Sequence, residues 1–245
     1  VFGDWSSDVC SSDLAGIGIL ERGGNAADAA AATILALTIT DHGECSIGGE
    51  APLLIYDGRR QEVKVLCGQG RAPRSAEAIR WYMAHGIPDK DVKMAPVPAV
   101  VDLCTTLLQR YGTMTLADVS APTLALLAAG SEPWHPRLAS TFERMLDEER
   151  RTDGSRAAKL QAASDRFYGR HPQRHDIADD LEAFYIAHGG FLRRSDLAAH
   201  ATRLEDPVTV DYRGYTVCKC GPWTQGPALC QTLRLLEGFD LRAMG

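Results

Sequence analysis

Residues 25–40, NAADAAAATILALTIT, constrain the fold more than any other stretch of this chain. Asn25 is a strong helix N-cap residue, and Asp28, three positions on, completes an acidic capping box. From Ala26 to Thr40 nearly every residue is Ala, Ile, Leu or Thr, so no side of the helix suits water. A helix that is apolar on every face is buried. Its alanines allow close contact with a sheet. A chain of 245 residues, 45% hydrophobic and 24% charged, has the composition of a globular protein of one or two domains.

Ahead of this helix, Ala15 to Arg22 reads as a helix remnant with Ile17 and Leu20 apolar, stopped by Gly23-Gly24. Behind it, residues 47–73 read as a β-hairpin. Pro52 to Tyr56 is one strand, and Asp57-Gly58 supplies the turn, with Gly58 expected at positive φ. Glu62 to Cys67 is the second strand, with Val63, Val65 and Cys67 on one face and Lys64 on the other. The chain leaves through Gly68-Gln69-Gly70-Arg71-Ala72-Pro73. Two glycines around one polar residue allow backbone to approach a bound group closely. The alternative is a tight exit from a buried hairpin.

Further on the pattern is mostly helical. Ser75 caps a helix that runs from Ala78 to His85, and Val92 to Pro98 is a connector. Ala99 to Tyr111 is amphipathic, with Val100, Leu103, Leu107 and Leu108 inward. Thr115 and Asp118 repeat the cap pattern, and helix continues from Leu124 to Ala129. Residues 132–174 are more polar, with one stripe of Phe142, Met145 and Leu146, and 147–151 as a solvated face. Ile177 to His188 is helical, and Ser195 caps a short turn. Pro207–Asp211 and Tyr215–Cys220 read as strands around Tyr212-Arg213-Gly214. A loop then enters the helix Ala228–Glu237, with Pro227 in its first turn. With no repeat, low-complexity tract or linker, a single structural unit is expected.

The net charge of −6 argues against nonspecific nucleic-acid binding, which needs a basic face. No run of about 18 apolar residues is present, so no membrane segment is expected. Cys45, Cys67, Cys104, Cys218, Cys220 and Cys230 follow no zinc spacing, and Cys218-Lys219-Cys220 places both thiols on one side of a strand. Scattered thiols favour a reducing cytoplasm over the periplasm; the periplasm stays open because the native start is not identified. His42 and Cys45 in the segment 41–46 invite a base–nucleophile reading. No third, orienting group accompanies them, and a loop beside the site is expected instead. His171 and His175 stand at i, i+4 spacing, which suits a metal on a helix. Pro172 lies between them and no carboxylate motif is near, so no metal is expected, and no cofactor.

Gly23-Gly24-Asn25-Ala26-Ala27-Asp28-Ala29-Ala30, the hairpin, Val97-Pro98, Arg110-Tyr111-Gly112, Phe167-Tyr168-Gly169, Gly189-Gly190-Phe191, Ser195-Asp196-Leu197-Ala198, Tyr212-Arg213-Gly214-Tyr215 and Leu235-Leu236-Glu237-Gly238 occur in order along residues 15–245. Together they resemble the γ-glutamyltranspeptidase family. That resemblance implies an N-terminal-nucleophile hydrolase, made as one precursor that cleaves itself before an internal Thr. The freed Thr is then base and nucleophile in acyl transfer. It implies an α/β (α+β) fold, the helix-rich large-subunit portion of a four-layer αββα sandwich. The Thr nucleophile is expected beyond Gly245, in a small subunit that is the partner of this region. No catalytic residue is then expected here, and this portion alone is expected to be inactive and weakly stable. Asp4–Leu14 resembles the translation of a common sequencing adapter, so residues 1–14 are read as an artefact, the alternative being a genuine polar, Ser-rich tail, with 15–245 an incomplete large-subunit region.

The informative departure is Gln69. In the family the equivalent bend resembles D-x-R-E-x-A-P, whose Arg clamps the α-carboxylate of the γ-glutamyl group. Counting back from Ala72-Pro73, Gln69 stands at that Arg and Gly70 at the Glu. A neutral amide cannot form a charge-assisted fork. Losing such an anchor costs about 1.5 to 3 kcal/mol, roughly tenfold to a hundredfold in affinity. Arg71 is the candidate substitute. Gln69 and Arg71 are thus the candidate substrate-binding residues, and a small-molecule amide the expected substrate. The family includes oxamate amidohydrolases, so small acidic amides are expected alongside γ-glutamyl compounds, with hydrolysis favoured over transfer. A catalytically silent family member acting as a binding or scaffold protein is the alternative, and a freestanding α/β binding domain a third.

Overall fold

The computed structural model describes residues 5–171 and 173–244. Val1 to Asp4 of the tail read as adapter-derived, Pro172 between the two histidines, and Gly245 lie outside the described residues. The chain divides into two compact units, Val1–Glu50 with Gly70–Ala201, and Ala51–Gln69 with Thr202–Gly245. The second unit joins an internal hairpin to the C-terminal segment, so no linker composition marks its borders.

The first unit is helical. It contains α1 (Trp5–Glu21), α2 (Ala26–Thr40), α3 (Ala76–His85), a 3-10 turn (Val92–Met94), α4 (Val100–Tyr111), α5 (Leu116–Ala129), α6 (His135–Arg151), α7 (Arg156–Tyr168), α8 (Ile177–Ala187) and α9 (Arg194–Ala198). The apolar helix α2 is enclosed as expected, with α1, α4 and α5 packed against it. Small side chains make this possible. A Cβ added to Gly16 of α1 would fall 2.4 Å from Thr33 Oγ1, so the two helices touch nearly backbone to side chain. The inward residues of α1 are Ser12, Ala15 and Ile19, whereas Ile17 and Leu20 are exposed. The two apolar residues noted in the sequence of this stretch therefore lie off its buried face.

The cap of α2 carries a second role. Asn25 Oδ1 accepts from the N–H groups of Ala27 (2.8 Å) and Asp28 (3.2 Å), and Asp28 Oδ2 accepts from Asn25 N (2.9 Å). The Asp28 carboxylate is fully buried and also accepts from Thr113 N (2.9 Å), Thr113 Oγ1 (2.7 Å) and Met114 N (3.0 Å). Asn25 Nδ2 donates to Tyr111 O at 2.7 Å. The start of α2 is thereby fastened to the bend after α4. Burial pushes the Asp28 carboxyl up, but the N–H donors of Asn25 and Met114 and both donors of Thr113 outweigh it and hold the group below the usual range.

Residues 132–174 form two helices, α6 and α7. Phe142, Met145 and Leu146 are buried as the stripe predicted. The face 147–151 is solvated only in part. Glu149 is buried, and its two oxygens accept from Leu116 N (2.8 Å) and Ala117 N (3.0 Å), capping α5 from a neighbouring helix. Gly169, at φ 65°, ends α7 in the left-handed region.

The second unit holds β1 (Ala51–Asp57), β2 (Glu62–Gly68), β3 (Arg203–Glu205), β4 (Val208–Tyr212), β5 (Tyr215–Lys219) and α10 (Gly226–Leu236). β1, β2 and β3 form an antiparallel sheet in that order, with Ala51 opposite Gly68, Asp57 opposite Glu62, and Cys67 opposite Arg203. β2 is central, so Val65, Leu66 and Cys67 are all buried and the expected alternation fades in its second half. β3 is too short to have shown in the sequence. The hairpin turn also differs from expectation: Gln61, at φ 55°, takes the left-handed position and Gly58 does not. Asp57 Oδ1 closes the turn by accepting from the N–H groups of Arg59 (2.9 Å) and Arg60 (3.3 Å). β4 and β5 pair across Arg213 (φ 50°) and Gly214 (φ 86°), two consecutive left-handed residues that match strand twist.

Candidate functional site

The bend that follows β2 carries both candidate residues. Gln69 is the last residue of its segment in the second unit and is half-buried. Its side chain has no hydrogen-bond partner among the described residues. Gly70 opens the next segment of the first unit. A Cβ there would lie 1.9 Å from Val97 O, and Val97 N donates to Arg71 O at 2.9 Å. The close approach that this glycine permits is therefore made by the chain's own backbone, not by a bound group.

The Arg71 side chain is exposed, and among the described residues it has no hydrogen-bond or ion-pair partner. It borders a cavity of about 10 Å³, room for about one water, shared with Arg74, Val97, Asp196 and His200. Arg74 is engaged: its N and Nε donate to Asp196 Oδ1 at 3.1 and 3.3 Å, and its Nη2 to Ser195 O at 3.0 Å. Asp196 Oδ2 accepts from Arg193 N at 3.1 Å, so the short helix α9 is capped by Asp196 and not, as expected, by Ser195. His200 is buried and its ring stacks on Tyr168, with centroids 5.4 Å apart.

Behind His200 lies a polar network. Tyr168 donates its hydroxyl to Pro98 O (2.8 Å) and accepts from Asp102 N (3.1 Å). Asp102 accepts from Ser164 Oγ (3.0 Å) and Arg170 Nη2 (2.8 Å), and Arg170 also reaches His200 O (2.6 Å). Burial, and then the Asp102 charge, push the Tyr168 hydroxyl well above its ordinary value, so it stays protonated and donates. The network ties Pro98, Asp102, Ser164, Tyr168, Arg170 and His200 together beneath the cavity. Where Arg74 already neutralises Asp196, Arg71 presents a guanidinium fork suited to a carboxylate.

The other candidates are structural. The His42 ring rests against Trp134 (5.3 Å between centroids), and no hydrogen bond joins it to Cys45 among the described residues. Burial, and then Asp41 and Glu44, push the Cys45 thiol up, opposite to what an activated nucleophile needs. Burial takes Cys104 up to about 12. His175 Nε2 bonds Asp180 Oδ1 at 2.7 Å, and the His171 carbonyl accepts from Arg194 Nη2 at 2.6 Å. Among the described residues no three His, Cys, Asp or Glu side chains group to hold a metal. In the second unit a cleft of about 350 Å³ is lined by Pro52, Leu54, Lys219, Cys220, Thr224 and Leu229. The Cys220 thiol there is pushed up, chiefly by burial. No described helix is long and apolar enough to cross a membrane.

The family model described as gamma-glutamyltranspeptidase matches residues 11–167 and 134–245. The chain belongs to the γ-glutamyltranspeptidase family. Among curated relatives, the glutathione hydrolase-like YwrD proenzyme of Bacillus subtilis (strain 168) is 29% identical over 92% of this chain and 47% of its own length. The cephalosporin acylase structure from Bacillus halodurans superposes with a TM-score of 0.74 at 27% identity, over 94% of this chain and 48% of that one. The γ-glutamyltranspeptidase of Helicobacter pylori superposes with a TM-score of 0.75 at 23% identity, over 96% and 74%, a likeness of fold. The chain spans about half the length of the curated relatives it matches. Its mixed α/β fold is that of γ-glutamyltranspeptidase structures, the N-terminal-nucleophile hydrolase class that the motif series implied. In this γ-glutamyltranspeptidase-family chain, Asp196, Asp102 and His200 were not singled out as site residues from sequence. Asp196 lay in a family motif, but its partner Arg74 is 122 residues away and gave no local signal.

Proposed function

We propose that this chain is the large-subunit region of a self-processing amidohydrolase that acts on small acidic amides. Its nucleophile, a Thr freed by cleavage, lies in the small subunit beyond Gly245. Arg71 receives the substrate carboxylate, and Gln69, standing where the family bend has arginine, weakens recognition of standard γ-glutamyl compounds. The observation that carries this reading is Arg71 itself, an exposed guanidinium with no partner among the described residues on a backbone held by Val97. A guanidinium in that state gains more from a substrate carboxylate than one already paired. The proenzyme names of the relatives and the acylase likeness support the hydrolase class. The cleavage step needs no cofactor.

The test is expression of the whole reading frame from its source DNA. The expected product is two chains from one precursor, with higher kcat/KM for oxamate than for γ-glutamyl-p-nitroanilide. Arg71→Ala is expected to raise KM about tenfold or more, from the value of a charged hydrogen bond. Turnover of γ-glutamyl-p-nitroanilide as efficient as that of glutathione-active relatives would overturn the argument from Gln69. An unchanged KM in Arg71→Ala would remove Arg71 from the site.

A further inference from the structure

Three donors converge on one buried carboxylate beside the Arg71 bend. Asp196 accepts from Arg74 N and Arg74 Nε on Oδ1, and from Arg193 N on Oδ2. Two of the three are backbone groups, so the carboxylate holds main chain to main chain, the start of α9 to the residue three beyond Arg71. At the other end of the same stretch, Arg71 O accepts from Val97 N, and Gly70 lies against Val97 O. Between the two fixed points stands Pro73, buried and with its φ set by the ring. The backbone of residues 70–74 is thus defined at both ends and stiff in the middle. The Arg71 side chain has no contact of that kind, so its direction is inherited from this backbone.

We propose that Asp196 is a positioning residue for substrate binding, fixing the path from which Arg71 reaches a carboxylate and so setting affinity for acidic ligands. The inference rests on the assignment of Arg71 to substrate binding made above. A guanidinium fork binds both carboxylate oxygens only when its plane and reach are right. Release of Arg74 from Asp196 frees the last residues of the bend, and the fork is then populated in the productive orientation for only part of the time. The expected consequence falls on ligand affinity, not on the chemistry of the distant nucleophile.

The experiment is a double-mutant cycle in the full-length processed protein, read by calorimetric titration with glutarate and with its uncharged counterpart glutaramide. Asp196→Ala is expected to weaken glutarate binding about tenfold, the scale of one charged hydrogen bond. Asp196→Asn, which keeps an oxygen for Arg74, recovers affinity to within about threefold of the parent on the scale of a neutral hydrogen bond. In an Arg71→Ala background the Asp196→Ala loss disappears, and glutaramide binding responds in neither background. Equal losses with and without Arg71, or for both ligands, would show that Asp196 merely supports α9 and would overturn the proposal. If Asp196→Ala fails to process, Arg74→Ala removes one of the three donors and keeps the two backbone bonds, so a smaller loss of glutarate affinity is expected, again present only with Arg71; an equal loss without Arg71 would overturn the proposal. Glutarate binding that ignores Arg71→Ala would instead overturn the Arg71 assignment, a distinguishable failure.

Discussion

Replacing Asp28 by Asn tests how much of the first unit hangs on one buried carboxylate. Oδ1 accepts from Thr113 N and Met114 N, and Oδ2 from Asn25 N, Thr113 N and Thr113 Oγ1. An amide oxygen at the Oδ1 position keeps its two donors. The NH2 group at the Oδ2 position then faces the N–H of Asn25, donor against donor. The Thr113 hydroxyl can rotate to accept, but Asn25 N–H, half-buried, is left facing a donor. That orphan costs about 1 to 3 kcal/mol, and neutralising the remaining charge-assisted bonds adds about 1 kcal/mol, for a loss of about 3 kcal/mol. With a urea dependence of about 2.5 kcal/mol/M, the midpoint falls by about 1 M. The assay is urea unfolding followed by tryptophan fluorescence, with hydrogen exchange at Thr113 and Met114 as the local readout. The pH dependence has a definite sign. Because the folded carboxyl is held below its unfolded value of about 4, its contribution is fully present above that pH and is lost as pH falls through the folded value. The gap between parent and Asp28→Asn therefore holds from pH 8 to 6 and narrows below about pH 4. A midpoint shift under about 0.3 M at pH 7, or a gap that widens on acidification, would refute the reasoning.

Gly70→Ala places a methyl 1.9 Å from Val97 O, backbone against backbone, and is expected to displace the bend, raise protease sensitivity near residue 70 and weaken glutarate binding. Glu149→Gln leaves one N–H at the start of α5 facing an amide NH2 and is expected to lower stability by about 1 to 2 kcal/mol, read by urea unfolding. Gln69→Arg restores the family's cation and is expected to raise kcat/KM for γ-glutamyl-p-nitroanilide about tenfold or more in the full-length protein. No gain there would locate the substrate preference elsewhere.

What could be read from sequence was what a residue shares with neighbours a few positions away. The Asn25–Asp28 and Thr115–Asp118 boxes, the amphipathic α4 and the β4–β5 turn are all settled within about four residues, and each appears as expected. The departures come from partners that are remote in the chain. Asp28 looks like a cap, and its other donors lie 85 and 86 residues away. Glu149 looks like part of a charged surface run, and it caps a helix 33 residues back. Gly70 looked suited to a ligand until Val97 filled the space. The Ala-rich face of α2 signalled close packing but not the partner, because helices and sheets both accept small side chains. For the site, the charge change at Gln69 was legible and Arg71 stood beside it; the rigidity of the bend, built by Val97 and Asp196, was not.

The interleaved order of the two units has a consequence for biogenesis. The hairpin β1–β2 leaves the ribosome early, yet Cys67 must wait for Arg203, 136 residues later, before β3 can cover its outer edge. Until then an unpaired strand with Val65 and Leu66 is open to pairing with other nascent chains. The remedy is also in the chain order. Nearly all of the intervening residues, Gly70–Ala201, belong to the helical unit, and its helices can form before the sheet closes. Once they have collapsed, residues 70 and 201 are held at a fixed separation, and joining β3 to β2 becomes the closure of a few residues at each end. Mutations that slow the helical unit, including those at Asp28, should therefore raise aggregation of newly made protein more than their effect on equilibrium stability implies.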